Sequence, residues 1–332
     1  MRFLRYAVLV TAGIFWLCGL SATVSHWLYE AGVIADDYRY GDLYRLSALP
    51  QFKQEQPTCT PSNRDSDTAS THLYIIGDSF SEPQRITKDD FRVSHYQRVH
   101  WYNKQRAQLD TSKRNVLLIE TIERHFRDHV TQPVRELVVD ADTNQSRLPP
   151  PTGWERVKTD IHWSDVEQRL ETALFSHQWA FWFKELKATL TLRWFDRSNE
   201  GVSLSRNRQH IFLNSDTDTS SVLSSYSPLT SAQVDAYVDS LNATADYYKQ
   251  QGFDAVYLSI IPNKASILEP NRYAYNHLIE RIQQHPKLAV PTIDVYSPFS
   301  QAPASPYLKS DTHWDCEGRA IWLRLVREKI GI

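Results

Sequence analysis

Three residue types that together can run acyl chemistry stand far apart in this chain of 332 residues. A serine follows a glycine and an aspartate in Tyr74-Ile75-Ile76-Gly77-Asp78-Ser79-Phe80-Ser81, and a carboxylate and an imidazole stand two residues apart in Ser310-Asp311-Thr312-His313-Trp314. A serine hydroxyl is a weak nucleophile at neutral pH until a histidine takes its proton. An acid that fixes the imidazole tautomer completes the relay. The constellation is defined by geometry, so its order along the chain is free.

Each half also has a structural reading. Gly-Asp-Ser is a common turn tripeptide. Here it ends an apolar, β-branched run at 73–76, preceded by the polar stretch 63–71. That places Ser79 at the carboxyl end of a strand, where open α/β sheets bind ligands. The Asp-x-His-Trp pattern recurs in Thr159-Asp160-Ile161-His162-Trp163. Ser164-Asp165-Val166-Glu167 follows that copy as a Ser-x-x-Glu capping box, so Asp160 and His162 read as the polar start of a helix. Asp311 and His313, in a loop before the final helix, are the preferred pair.

The elements that must position these groups follow from periodicity. Strands are expected at 73–76, 116–119, 255–261 and 290–295, and helices at 91–108, 122–129, 232–252, 272–284 and from 317 to 329. Ser231 and Gly252 suit a cap and a stop. Alternation of this kind predicts a mainly parallel sheet covered on both faces. Residues 130–226 interrupt it. Within them, 166–197 carries Leu170, Leu174, Trp179, Phe181, Trp182, Phe183, Leu186, Leu190, Leu192 and Trp194. These suit a helical lid or a surface that docks to a membrane or partner, or plain core packing, which is the preferred reading. Residues 202–214 resemble a short β-like return, and 58–70 a polar loop.

Four blocks in order, Gly77-Asp78-Ser79-Phe80, Ile119-Glu120-Thr121-Ile122-Glu123-Arg124, Ile261-Pro262-Asn263-Lys264-Ala265 and Asp311-Thr312-His313-Trp314 through Gly318, resemble the SGNH-hydrolase-like proteins of the alginate O-acetylation type. The resemblance covers roughly 73–330. It implies an α/β, flavodoxin-like (SGNH) α/β/α sandwich with a helical insertion, acting as an O-acetyltransferase on an exopolysaccharide. By position it implies Ser79 as nucleophile, His313 as base and Asp311 as its orienter, with Asp78, Arg124, Asn263, Lys264 and Trp314 supporting the substrate or oxyanion. The alternatives are a carbohydrate esterase using the same residues and a non-catalytic polysaccharide-binding protein. Here the serine block precedes the Asp-x-His block, as in SGNH esterases. No glycine occurs between Gly77 and Gly153, so glycine-supplied oxyanion donors are not evident, and an oxyanion hole would be built from the Ser79 backbone N–H and nearby side chains.

The N-terminus addresses location. Residues 6–24 form an uncharged, mostly apolar run preceded by Arg2 and Arg5 and followed by Trp27 and Tyr29. A transmembrane signal anchor with its N-terminus in the cytoplasm is expected, in preference to a cleaved signal peptide. The expected organisation is a cytoplasmic tip at 1–5, an anchor at 6–24, a membrane-proximal linker at 25–71, and a catalytic domain at 72–332 with an insertion over about 130–226. An exported domain permits a Cys59–Cys316 disulfide, Cys18 lying inside the apolar run. The chain has a net charge of −2, which gives no general field for nucleic acid. Expected partners are a polysaccharide acceptor, a membrane-embedded acyl-donor protein and the membrane itself; no cofactor or metal is expected.

Overall fold

Residues 73–76 are apolar without alternation, as a strand buried on both faces must be, and they form the centre of β1 (Thr71–Gly77). The structure, a computed structural model, describes residues 2–34, 38–60, 70–139 and 166–332. Further strands are β2 (His95–His100), β3 (Gln105–Ala107), β4 (Arg114–Ile122), β5 (Leu137–Val139), β6 (Val202–Leu204), β7 (Ile211–Leu213), β8 (Ala255–Ile261) and β9 (Thr292–Ile293). The chain divides into two compact units, Met1–Glu55 with Asn144–Asn199, and Gln56–Thr143 with Glu200–Ile332.

The second unit is built on a five-stranded sheet of order β2-β1-β4-β8-β9, parallel throughout. Counted within this sheet alone the order is 2-1-3-4-5, the flavodoxin-like arrangement whose ligand crevice lies beyond the carboxyl ends of the strands flanking the switch point. Those strands are β1 and β4. Successive residues of β1 serve opposite faces. Tyr74 and Ile76 join a core with Val238, Leu241 and Tyr248 of the helix Ser231–Gln250. Leu73 and Ile75 join another with Trp322, Leu323 and Val326 of the helix Cys316–Ile330. The α/β class and mainly parallel sheet are therefore as expected.

Several local expectations are corrected. Residues 91–108, read as a helix, contain β2 and β3. β2 is an edge strand whose residues are mostly half-buried, so its polar side chains masked the strand pattern. The helix expected over 272–284 shortens to Leu278–Gln283, and Thr230 rather than Ser231 caps the long helix, in a reciprocal box with Gln233. The return at 202–214 is the antiparallel hairpin β6–β7.

The first unit is helical: Arg2–Leu20, Ala22–Glu30, Asp42–Ser47, Val166–Phe175 and Gln178–Phe195. The apolar run at 6–24 is not one helix. Arg2–Leu20 ends before Ser21, whose hydroxyl accepts the Val24 N–H at 3.1 Å and starts the next helix. Among the described residues no helix is long and apolar enough to cross a membrane, so the expected anchor is not found. The linker expected at 25–71 contains the helix Asp42–Ser47, whose Tyr44 stacks on Phe181 at 5.4 Å and donates its hydroxyl proton to Glu185. The preferred core role for the aromatic segment is also corrected. Trp179, Trp182, Phe183, Trp194 and Phe195 are all more than half exposed. The decoy at Asp160 and His162 lies outside the described residues.

Candidate active site

β1 stops at Gly77 because the chain must turn hard against neighbouring polar groups. A β-carbon at Gly77 would lie 2.1 Å from Ser81 Oγ and 2.7 Å from Glu120 Oε2, so no larger residue fits. The turn that follows is a one-turn 3-10 helix, Ser79–Ser81, capped by Asp78. Asp78 Oδ1 accepts the Phe80 N–H at 3.0 Å, and Oδ2 accepts the Ile122 N–H at 2.6 Å, tying the turn to the end of β4. Ser79 stands on this elbow.

Three residues to which the sequence assigns no role, Glu120, Arg98 and Arg85, hold the elbow. Glu120 Oε2 accepts from the Asp78 N–H at 3.0 Å and from Ser81 Oγ at 2.7 Å. Arg98 donates to Ser81 Oγ and Gly77 O, both at 3.1 Å, and to Asp78 O. Arg85 donates to Ser79 O at 3.1 Å. Glu120 is fully buried, and that burial, with the Asp78 carboxylate beside it, holds its carboxyl well above the ordinary range. The signal for Glu120 was a single acidic residue inside the apolar strand run of β4.

The imidazole arrives from the loop before the last helix. His313 Nε2 lies 2.8 Å from Ser79 Oγ, and His313 Nδ1 lies 2.5 Å from Asp311 Oδ1. Asp311 Oδ1 also accepts the His313 backbone N–H at 2.9 Å, and Gln56 Nε2 donates to Oδ2 at 3.2 Å. This bonding fixes the tautomer with the proton on Nδ1 and leaves Nε2 to accept from serine. Asp311 and His313 are both buried, and the Phe80 ring lies 4.7 Å from the imidazole. The three residues are brought together across a separation of more than 230 positions.

The remaining expected site residues are committed within the protein. Lys264 is buried, and its ammonium donates to Leu308 O at 2.7 Å, Lys309 O at 3.0 Å and Asp311 O at 3.1 Å, so it braces the loop that carries the relay. Asn263 is buried, donating to Ser225 Oγ at 2.8 Å and accepting the Arg124 N–H at 3.2 Å. Arg124 forms a buried ion pair with Asp216 at 3.2 Å. Trp314 packs edge-on against Phe80 at 4.9 Å. Asp78 caps the elbow. Cys59 and Cys316 are joined by a disulfide, which ties the segment before β1 to the start of the last helix.

A buried carboxylate not singled out earlier sits under the same loop. Glu123 Oε2 accepts from the Asn263 N–H at 2.9 Å and Ser266 Oγ at 2.6 Å, on either side of Lys264. Burial raises its pKa to about 7.

The elbow's amides decide what else the site can do. The Asp78 and Phe80 N–H groups are taken by carboxylates and the Ser81 N–H by Asp78 O at 3.3 Å. The Ser79 N–H has no acceptor among the described residues. A serine with its hydroxyl on a histidine and its own amide open is arranged to attack a carbonyl and hold the resulting oxyanion. Comparison with protein-family models, with curated proteins and with solved structures finds no match.

Proposed function

We propose that this chain is an extracytoplasmic O-acyltransferase that moves an acyl group, acetyl in the simplest case, onto hydroxyls of an exopolysaccharide through an acyl-Ser79 intermediate. The observation that carries the reading is the continuous Asp311–His313–Ser79 relay with the open Ser79 amide beside it. The four-block resemblance narrows acyl chemistry to transfer and favours an SGNH-type sandwich. The Cys59–Cys316 disulfide supports an oxidising compartment. Exposed Phe3, Leu4, Leu9, Ile14 and Trp16 on the helix Arg2–Leu20 support residence at a lipid surface, within reach of a membrane-embedded acyl donor.

In the first half-reaction His313 Nε2 takes the Ser79 proton as Oγ attacks the donor carbonyl. The tetrahedral oxyanion sits on the Ser79 N–H, and Asp311 stabilises the imidazolium. Collapse expels the donor's leaving group, which takes the proton from His313, and leaves the ester on Ser79. In the second half a sugar hydroxyl gives its proton to His313, attacks the ester, and departs acylated as the proton returns to Ser79.

The test is incubation of the protein with an activated acetyl ester, followed by mass spectrometry of the Ser79 peptide. Acetyl on Ser79 in the wild type and none in Ser79→Ala is the expected result. Equal absence of label in both would overturn the catalytic reading in favour of a binding protein. The esterase reading uses the same relay with water as acceptor. Partition of the acyl-enzyme between water and an oligosaccharide separates the two.

A further inference from the structure

β2 delivers a set of rings to the elbow that the acyl-transfer steps do not use. β2 runs parallel to β1 with His100 opposite Gly77, so the residues after His100 emerge at the sheet edge that carries Ser79. Trp101 is buried there. Its indole N–H donates to Glu120 O at 2.8 Å, and its ring stacks on His129 with centroids 4.0 Å apart and planes at 11°. Tyr102 sets its ring against the same imidazole at 5.4 Å and 63°, and His125, one helical turn before His129, lies 5.6 Å from it. Four rings are therefore in continuous contact.

The outermost of them is displayed. Tyr102 is 70% exposed, although an aromatic ring is ordinarily buried. It also holds φ at 66°, in the left-handed region that a bulky side chain occupies only when its surroundings over-determine it. Anchoring of the preceding tryptophan fixes that geometry. The cluster is tied to the nucleophile's turn: the Trp101 backbone N–H donates to Gly77 O at 3.3 Å.

The charge around the rings selects a class of ligand. Burial, with the Arg124 guanidinium acting in the same direction, lowers His125, and burial pushes His129 down to about 3 against the pull of Asp78, so charge is disfavoured on both imidazoles. Asp128 and Glu136 are the charges that act on the Tyr102 hydroxyl, and both are acidic. A polyanion would be repelled there. A flat, exposed ring backed by neutral hydrogen-bonding groups suits a ligand with one apolar face and a rim of hydroxyls.

We propose that Tyr102 and His125, backed by Trp101 and His129, form an acceptor subsite that takes a neutral hexose ring. The sugar's C–H face stacks on Tyr102, and a hydroxyl bonds to the His125 imidazole. The subsite rests on the acyl-transfer reading and narrows its acceptor to an uncharged polysaccharide rather than a polyuronate.

Calorimetric titration of the full chain with cellohexaose, and with a polyuronate hexamer for comparison, tests it directly. Cellohexaose binds the wild type and Tyr102→Phe alike, and Tyr102→Ala weakens it about tenfold, the scale of one lost ring contact. Tyr273→Ala, which removes an exposed aromatic elsewhere in the same unit, leaves the affinity unchanged. No binding of cellohexaose, equal affinity in Tyr102→Ala, or tighter binding of the uronate overturns the subsite. The two readings fail separately. Tyr102-dependent binding in a protein that never acetylates Ser79 removes the transfer reading and keeps the subsite, whereas acetyl-Ser79 with Tyr102-independent acceptor use does the reverse.

Discussion

The elbow that presents Ser79 hangs on a buried acid, Glu120, whereas the loop that presents His313 hangs on a buried cation, Lys264. The difference follows from what each must hold. The elbow turns the Asp78 N–H and the Ser81 hydroxyl inward, so it needs an acceptor, and Glu120, whose carboxyl burial and the neighbouring Asp78 hold well above the ordinary range, provides one. The loop turns three carbonyls inward and needs a donor, and one ammonium satisfies all three. On the loop side Glu123 holds the backbone of Asn263 and the hydroxyl of Ser266, on either side of Lys264 in the chain. Its Oε2 is bonded, while Oε1 has no hydrogen-bond partner among the described residues. The elbow is thus secured by a buried acid together with the Arg98 guanidinium and the Asp78 carboxylate, and the loop by the Lys264 ammonium.

The largest expected effect of breaking this comparison falls on the loop. Lys264→Met fits the volume but leaves three carbonyls without their donor, at a cost of about 3 kcal/mol or more, measurable by denaturant unfolding. A shift of the loop by an ångström would lower the rate of Ser79 acetylation about 100-fold. Wild-type stability and rate in Lys264→Met would show that the loop holds itself.

The next effect is a pH dependence. Glu123 rises from an ordinary 4.5 to about 7 on folding. Below 4.5 both states are protonated, and the folded protein carries no penalty. Between 4.5 and about 7 the unfolded chain ionises while the folded one does not, so the unfolded state binds fewer protons and stability falls as pH rises. The loss amounts to about 3 kcal/mol by neutral pH. Unfolding curves of Glu123→Gln across this window should lack that decline; an unchanged slope would assign it to other groups.

The smallest effect sharpens the elbow side. Glu120→Gln keeps an acceptor for the Asp78 N–H and the Ser81 hydroxyl, so it should change stability by about 1 kcal/mol or less, read by denaturant midpoint at constant m-value. Glu120→Leu, which abandons the Asp78 N–H and the Ser81 hydroxyl, should cost about 2 kcal/mol more. Similar losses in both variants would mean that an ionised Glu120 holds the turn.

Legibility in the sequence tracked burial. β1, β4 and β8 are buried on both faces, and their uninterrupted apolar runs announced them. β2, at the sheet edge, has no such run and was read as helix. The candidate site residues were legible for a different reason. Ser79, Asp311 and His313 are types that chemistry demands in short patterns, and the blocks around them gave each a place. Residues that hold them were not legible as such. Lys264 and Asn263 were singled out as substrate groups, yet their partners are backbone carbonyls and buried side chains more than thirty residues away. Nothing local to a lysine distinguishes a brace from a ligand. The exposure of Trp179, Trp182 and Trp194 was equally hidden, because a helix rich in aromatics all round carries no periodic signal of which side is free.

By itself the sequence determined the buried strands β1, β4 and β8 and the alternation that implies a mainly parallel sheet, and it singled out Ser79, His313 and Asp311 as candidates for acyl chemistry. These follow from short-range patterning, which burial on one face or both imposes on neighbouring residues. Only the tertiary structure decided that the second Asp-x-His pattern meets Ser79, that the elbow amide stays open, and that Trp101, Tyr102, His125 and His129 gather at the same edge. Each of these depends on strand order and register. Parallel pairing of β2 with β1 sets residue 100 opposite residue 77, so the turns that carry Tyr102 and Ser79 leave the same sheet edge, a juxtaposition that no spacing along the chain encodes.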